Sequence, residues 1–418
     1  MFHVETNNTC FNICILRGAS GDGVERMYIY KALRHLMLAC SLVLVAQVSQ
    51  GQTREVAFAG VAFSGDAAGL AQRFPYSIQI DKQLKGANSS LFKRSYEYIA
   101  VNPPPNFQIS TTPLDSLQGR DQALVASLLI SSETVSVEHF GNIRKLFVLL
   151  RGQALFFDFK SMSVLRSYPV SFGYVDNFRH DPSAEEILER VRLVYEGGNN
   201  KPGLFSRYAS ALAAASLPSQ VPRYVQVTRA SLAPEMLGVL PDYLKASSVA
   251  AETWAADLVA EAISTRMGVP VVPYTKGYAV GNVMSMQVMD GDVFNLTLPK
   301  PDYEIEVDLK NVKKIKFSES AGGASFVYGT YADIKIHEPL SGTVYLNTSL
   351  KNGETKVIPA SQTYVDDFPA YYDSVNGMFV KLAETVAGKD SGWIKKSASA
   401  SDIDAQIEKT TKLMNLCK

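Results

Sequence analysis

The chain has 418 residues, with 41 basic and 41 acidic side chains and a formal charge of zero. That balance excludes the broad positive field that nucleic-acid binding needs, and hydrophobic and charged fractions of 46% and 20% exclude a disordered chain. The length exceeds what one core ordinarily supports, so two domains are expected.

Residues 1–26 are a polar, cysteine-bearing stretch that fits no targeting pattern, and Met27 is read as the true initiator. Lys31, Arg34 and His35 then precede the apolar run LMLACSLVLVA, and small residues follow at Ser49 and Gly51. This order of charge, apolar run and small residues predicts a secretory signal peptide over 27–51, with an uncleaved anchor as the alternative. Cys10, Cys14 and Cys40 all precede the cleavage site, so Cys417 stands alone in the mature chain. An exported protein with one thiol has no internal disulfide and relies on its cores. Acylation of Cys40 is disfavoured, because MLAC lacks the usual aliphatic residue three places before the cysteine.

In the mature chain, REVAFAGVAF reads as a strand ended by the turn-forming SGD. AAGLAQRFPYSIQIDKQL reads as a helix in which Pro75 forces a kink or a stop, and VNPPPNFQISTTPLDS reads as a loop. DQALVASLLI is an unbroken apolar run that predicts a strand buried on both faces or a short helix. KLFVLLRGQALFFDFKSMSVLRSYPVSF predicts two or three strands, with breaks at Arg151-Gly152 and Lys160-Ser161. After YVDNF, DPSAEEILERVRLVYE predicts a helix capped by Asp181, with Pro182 in its first turn and Leu188, Val191, Val194 and Tyr195 on its apolar face. GGNNKPG breaks it, and LFSRYASALAAAS resumes as a small-residue helix.

A second cycle opens with the strand PRYVQVTRASLAPE and a helix over 250–267 carrying Trp254, Leu258, Val259, Ala262 and Ile263. GVPVVPYTKGYAVGNVMSMQV reads as an edge-like strand interrupted by prolines. In YEIEVDL, Ile305, Val307 and Leu309 share one face; in SFVYGTYADIKIH, Phe326, Tyr328, Ala332, Ile334 and Ile336 do the same. LSGTVYLNTSLKNGETKVIPA reads as a hairpin turning at Asn352-Gly353. Past YVDDF, Phe368, Tyr371, Tyr372, Val375, Met378, Phe379, Leu382 and Val386 form the stripe of a long amphipathic helix, and a short helix follows over 402–416. The order strand, helix, several strands, helix occurs twice, with YVDNF and YVDDF in corresponding places. The fold class is therefore read as α+β: two tandem, duplicated sheet-plus-helix domains at 52–220 and 221–388, then a tail over 389–418.

No residue is assigned a catalytic, cofactor-binding or metal-binding role. His139, His180 and His337 stand alone, and His337 is read as a strand-end histidine meeting solvent or a carboxylate. There is no nucleophile elbow, and SAGGAS is a turn with no helix behind it to hold a phosphate. Asp366 and Asp367 are read as helix caps, with Asp176 in the same place in the first cycle. KNVKKIKF is read as a solvated strand with edge-protecting lysines, a lipid-headgroup contact being the alternative. The candidate site is a protein-binding strip at the start of the long helix: Tyr364, Asp366, Asp367, Phe368, Tyr371 and Tyr372.

The unit carried by REVAFAGVAF, DQALVASLLI and LLRGQALFFDFKSMSVLRSYPV, repeated in outline from PRYVQVTRASLAPE, resembles the α/β modules of bacterial envelope assembly proteins. These include the TolB N-terminal domain, the curli-secretion channel subunit, and related flagellar and peptidoglycan-synthase accessory proteins. The likeness covers most of each half by pattern and transfers no motif residue. It implies a non-enzymatic, exported binding or scaffold protein of the periplasm or exterior that acts on protein partners in the cell envelope. Homo-oligomerisation and peripheral or outer-membrane contact are compatible with it; nucleic acid and cofactors are not expected. The alternatives are a secreted hydrolase or carbohydrate-active enzyme whose carboxylates meet only in the fold, and an oligomeric pore built from hairpins of Glu304 to Leu350.

Overall fold

The computed structural model describes residues 54–418, apart from 66–69, 120–122, 199–200, 218–221, 246, 290, 292, 363–364 and 390–391. The stretch read as a signal peptide, and Cys10, Cys14 and Cys40, lie outside the described residues. The architecture is α+β, as the alternating periods predict, with two sheets.

The first sheet starts at β1 (Arg54–Ser64). The chain then forms α1 (Pro75–Gly86) and α2 (Leu91–Val101) before β2 (Phe107–Ser110), β3 (Leu124–Phe140), β4 (Ile143–Asp158) and β5 (Ser163–Phe178). Two helices close the cycle, α3 (Ala184–Glu196) and α4 (Leu204–Ala214). β1 pairs in parallel with β2 and β3, and β3, β4 and β5 form an antiparallel meander. Gly60 makes a bulge in β1 at φ +82°, and a Cβ there would strike the Phe92 ring. The extra residue switches the strand's parity. Val56 and Phe58 before it, and Val61 and Phe63 after it, therefore all face the same helix-covered core.

The opposite face of this sheet carries Ala57, Val125, Leu129, Leu155 and Phe157, all buried. Its cover comes from far along the chain. The second half begins with β6 (Val225–Leu232), α5 (Ser248–Met267) and β7 (Val271–Val272), and the next two strands, β8 (Val283–Val288) and β9 (Val293–Thr297), turn back to the first sheet. β8 pairs with the end of β1, β9 meets β5 at Ser163, and Met284, Met286, Phe294 and Leu296 fill the space between. The stretch expected as one edge-like strand thus serves two sheets: β7 edges the second, and β8 joins the first between β9 and the end of β1.

β10 (Tyr303–Ser320), β11 (Gly323–His337) and β12 (Val344–Pro359) complete the second sheet, followed by α6 (Phe368–Val386) and α7 (Ile403–Leu416). Its order, β7-β6-β10-β11-β12, matches β2-β1-β3-β4-β5 strand for strand, including the parallel and antiparallel relations. Ile305, Val307, Leu309, Tyr328, Ala332, Ile334 and Ile336 are all buried, as the alternation predicts, and α5 and α6 lie over the six of them that join the main second core.

The stop expected at Pro75 is present: a short helical turn over Leu70–Arg73 ends before it, and α1 starts at Pro75, where the missing N–H costs nothing. Two other local expectations change. α3 is capped by Ser183, whose Oγ accepts from the Glu186 N–H at 3.2 Å while Glu186 accepts from the Ser183 N–H at 2.8 Å; Asp181 instead pairs with Arg144. Asn352-Gly353 is no turn, for β12 runs straight through it. The Asn352 amide is buried under α6, donating to the Ser374 carbonyl at 2.8 Å, and a side chain thus satisfied competes with no turn.

The C-terminal segment ties the two sheets together. Arg166 of β5, itself buried, donates to the carbonyls of Cys417 at 2.9 Å and Lys418 at 3.2 Å. Burial pushes the Cys417 thiol up to about 12. Thiol reagents at pH 8 are therefore expected to modify Cys417 only when the protein unfolds, as peptide mass mapping will report; rapid labelling of the native protein would contradict this packing. Leu296→Ala, on the hairpin, is expected to cost about 2–5 kcal/mol. Because that hairpin joins both halves, denaturant unfolding of the variant remains a single transition, whereas two separated transitions would show that the halves unfold independently.

Candidate binding cleft

α5 is buried almost all round, as a helix wedged between two sheets must be. Small residues Ala255, Ala256, Ala260 and Ala262 allow the close approach, and the buried Asp257 meets Arg151 of β4 at 3.5 Å. Beyond this contact β3, β4 and β5 continue past the helices that cover them, and α6 diverges from them. A cleft of about 730 Å³ remains, walled by β4 and β5 on one side and by α5 and α6 on the other.

Its walls are aromatic. Phe147 of β4 stacks on Tyr243, with ring centroids 5.8 Å apart and planes at 19°. Trp254 of α5 lies 6.3 Å from Phe368 and 6.4 Å from Tyr372, both on α6. Burial raises the pKa of the Tyr243 and Tyr372 phenols, which keeps both neutral and able to donate. Arg207 of α4 lies over the Phe172 ring at 5.3 Å.

The charged groups are neutralised in place. Lys145 of β4 is 13% exposed and sits between Glu138, at 2.8 Å, and Asp366 just before α6. Burial works against its charge, but the hydrogen bonds it donates to Asp366 and Glu138 outweigh that and hold the ammonium above its ordinary pKa. Glu261 of α5 accepts from the Ser171 hydroxyl at 2.6 Å and faces Arg207 at 3.7 Å, while Asp373 is held by Lys356 at 2.6 Å. Each of these carboxylates has a cation or hydroxyl partner, and Glu138 and Asp366, the two that face one another, have the Lys145 ammonium between them.

The strip expected at the start of the long helix is divided by the helix itself. Asp366, Phe368 and Tyr372 face the cleft. Asp367 and Tyr371 turn the other way: Asp367 accepts from Tyr328 at 2.6 Å and pairs with Lys314 at 2.8 Å, and the buried Tyr371 ring meets Tyr328 edge-on at 5.2 Å. Residues one apart on a helix do not share a face. Capping falls to Asp366, which accepts from the Phe368 N–H at 3.1 Å, and Asp367 makes no capping bond. Tyr364 lies outside the described residues. Asp176 pairs with Arg190 inside the first half and caps nothing.

Sequence reasoning missed Lys145, Phe147, Arg207, Tyr243 and Glu261. One signal was present: Asp257 and Glu261, one turn apart in the apolar middle of the helix, mark a stripe that faces something polar.

Among the described residues one group could hold a metal ion. Glu304, Glu306 and His337 bring their ligand atoms within 4.8 Å of one another on the outer face of the second sheet. Arg229 already holds Glu306 at 3.0 Å and Lys335 stands 4.0 Å from it. The buried His337 Nδ1 has no partner, so a metal on Nε2 would leave an unsatisfied Nδ1–H. The group therefore reads as a charge ladder across the strands, with His337 meeting carboxylates as its sequence position predicts.

No protein-family model and no curated protein matches the chain. Among solved structures, a provisionally named lipoprotein from Caulobacter crescentus is 11% identical, with 38% of this chain covering 84% of that one at a TM-score of 0.20. A Xanthomonas campestris protein is 12% identical, over 41% of this chain and 88% of its own, at 0.22. A provisionally named neuraminyllactose-binding hemagglutinin homolog from Helicobacter pylori is 12% identical, over 47% and 91%, at 0.24. Superpositions this loose carry no argument about this chain. No helix among the described residues is long and apolar enough to cross a membrane.

Lys145→Met leaves Glu138 and Asp366 facing one another without their shared cation. The variant is expected to lose about 1–3 kcal/mol of stability, read by denaturant unfolding, because two partly buried carboxylates are left without the cation between them. A variant as stable as the parent would contradict the shared-cation geometry.

Proposed function

We propose that this chain is an exported, non-enzymatic binding protein of the bacterial cell envelope, built on an internally duplicated unit, and that it engages a protein partner through the cleft between its two sheets. The matching strand order of the two halves supports duplication. The observation that carries the binding reading is the cleft: aromatic walls in a concavity of about 730 Å³, with every carboxylate in it already paired. Such a surface offers apolar area and orienting polar groups without a poised acid, base or nucleophile. The strands from Glu304 onward spend the apolar residues of their inner halves on the core beneath α5 and α6, and their projecting halves carry lysines among Ile315, Phe317 and Val357, which speaks against a continuous lipid-facing band.

Photo-crosslinking from inside the cell tests this reading. A photoreactive side chain at Val175 or Asn376, both lining the cleft, is expected to trap one defined partner, and a Trp254→Ala variant to lose that adduct. A probe at the remote, fully exposed Leu340 serves as control. Equal trapping from all three positions, or none from the cleft, would overturn the proposal.

A further inference from the structure

Strand β12 is the outer strand of the second sheet, and its two halves are treated differently. Along the first half the C-terminal segment covers the edge. The Asn347 N–H donates to Gln406 Oε1 at 2.8 Å, the Ser349 N–H to Ser399 Oγ at 3.0 Å, and the Ser399 N–H to the Ser349 carbonyl at 2.9 Å. These bonds show that odd-numbered residues of β12 point their backbone groups outward. The pairing with β11 runs without a shift from Leu346 to Pro359, so the same parity holds for Lys351, Gly353, Thr355 and Val357. Among the described residues no strand pairs with this second half, which leaves four outward-pointing residues in an open ladder.

The open edge lies beside exposed apolar surface. Val357 is 72% exposed, and Ile315 and Phe317 on the same projecting part of the sheet are 54% and 75% exposed. Gly353 has no side chain of its own, and Val327 Cγ1 stands 3.3 Å from where a Cβ would be, so the strand is flanked by apolar surface there.

We infer that this edge is an interface between two copies of the chain, joined as antiparallel strands about a two-fold axis at Thr355. The choice of occupant comes from the segment's own complementarity. With Thr355 opposite Thr355, each Glu354 stands opposite the partner copy's Lys356, and each Val357 lies over the partner copy's Gly353. Both pairs occur twice, by symmetry. Moving the axis by half a residue breaks the match of outward-facing backbone groups, and moving it to Glu354 sets like charges against each other. The Glu354 and Lys356 pairs extend an existing ladder, since Lys356 already holds Asp373 at 2.6 Å and Glu354 lies 3.7 Å from Lys381. A strand of another protein would need to reproduce this charge order; a second copy carries it already. The interface touches the cleft only where Lys356 holds Asp373, and the aromatic walls of the cleft lie on other elements, so its failure would leave the cleft reading untouched.

The full chain is expected to be dimeric by light scattering and sedimentation. Thr355→Pro removes an outward N–H and leaves the β11 pairing intact, so the fold is kept while the dissociation constant rises about tenfold or more. Lys356→Glu is expected to weaken the dimer similarly, and the double exchange Glu354→Lys with Lys356→Glu to restore it, which a merely misfolded variant would not do. Under oxidation Thr355→Cys is expected to give a 355-to-355 disulfide, identified by peptide mass, because directly opposite strand residues lie within disulfide reach. A chain that stays monomeric at every concentration tested, or a dimer indifferent to both Thr355→Pro and the charge exchange, would overturn the inference.

Discussion

Burial of the first sheet on both faces is the constraint from which the rest of the molecule follows. A strand such as β3 or β4, apolar on successive residues, has no face to give to water, and each large side chain left exposed would forfeit roughly 1.5–3 kcal/mol. The helices α1 to α4 cover one face. The other is closed by β8 and β9, delivered from the second half, so that Phe157 and Leu155 are buried against Phe294, Met286 and Leu296. The halves share a strand order yet are not interchangeable, because only the second sends a hairpin across.

That crossing also sets the cleft. With the hairpin fixing one end of the first sheet, and Arg166 holding the C-terminal residues against β5, α5 is confined between the sheets, and the free ends of β4 and β5 diverge from α6. The space between them is lined by groups that no single element brings together: Lys145 and Phe147 from a strand, Glu261 from a helix, Asp366 from the turn before another. A lysine shared by two carboxylates from opposite walls spans the opening, and the aromatic residues leave it apolar enough to reward a partner that enters.

Much of the fold was legible in the sequence because the local periods agree with the final burial. YEIEVDL and SFVYGTYADIKIH became strands with the expected inward residues, the stripe from Phe368 to Val386 became α6, and DQALVASLLI was buried on both sides. Legibility failed where a side chain or a distant segment decided the outcome. Asn352-Gly353 carries a turn signal that α6 overrides by burying the amide. Helix α2 was hidden in a mixed polar and aromatic stretch. The cleft was the least legible part, since Tyr371 and Tyr372 look alike in sequence and only the position of α5 sends one inward and the other to the opening.

The most direct measurement is on the first half alone. A chain of residues 54–217, which keeps β1 to β5 and α1 to α4 but lacks the hairpin, leaves Val125, Leu129, Leu155 and Phe157 without cover. It should show helix and strand by far-ultraviolet circular dichroism but no fixed aromatic signals in the near ultraviolet, and it should bind hydrophobic dyes. A well-dispersed NMR spectrum and a cooperative melt from that fragment would contradict the account, because the sheet would then need no cover from the second half.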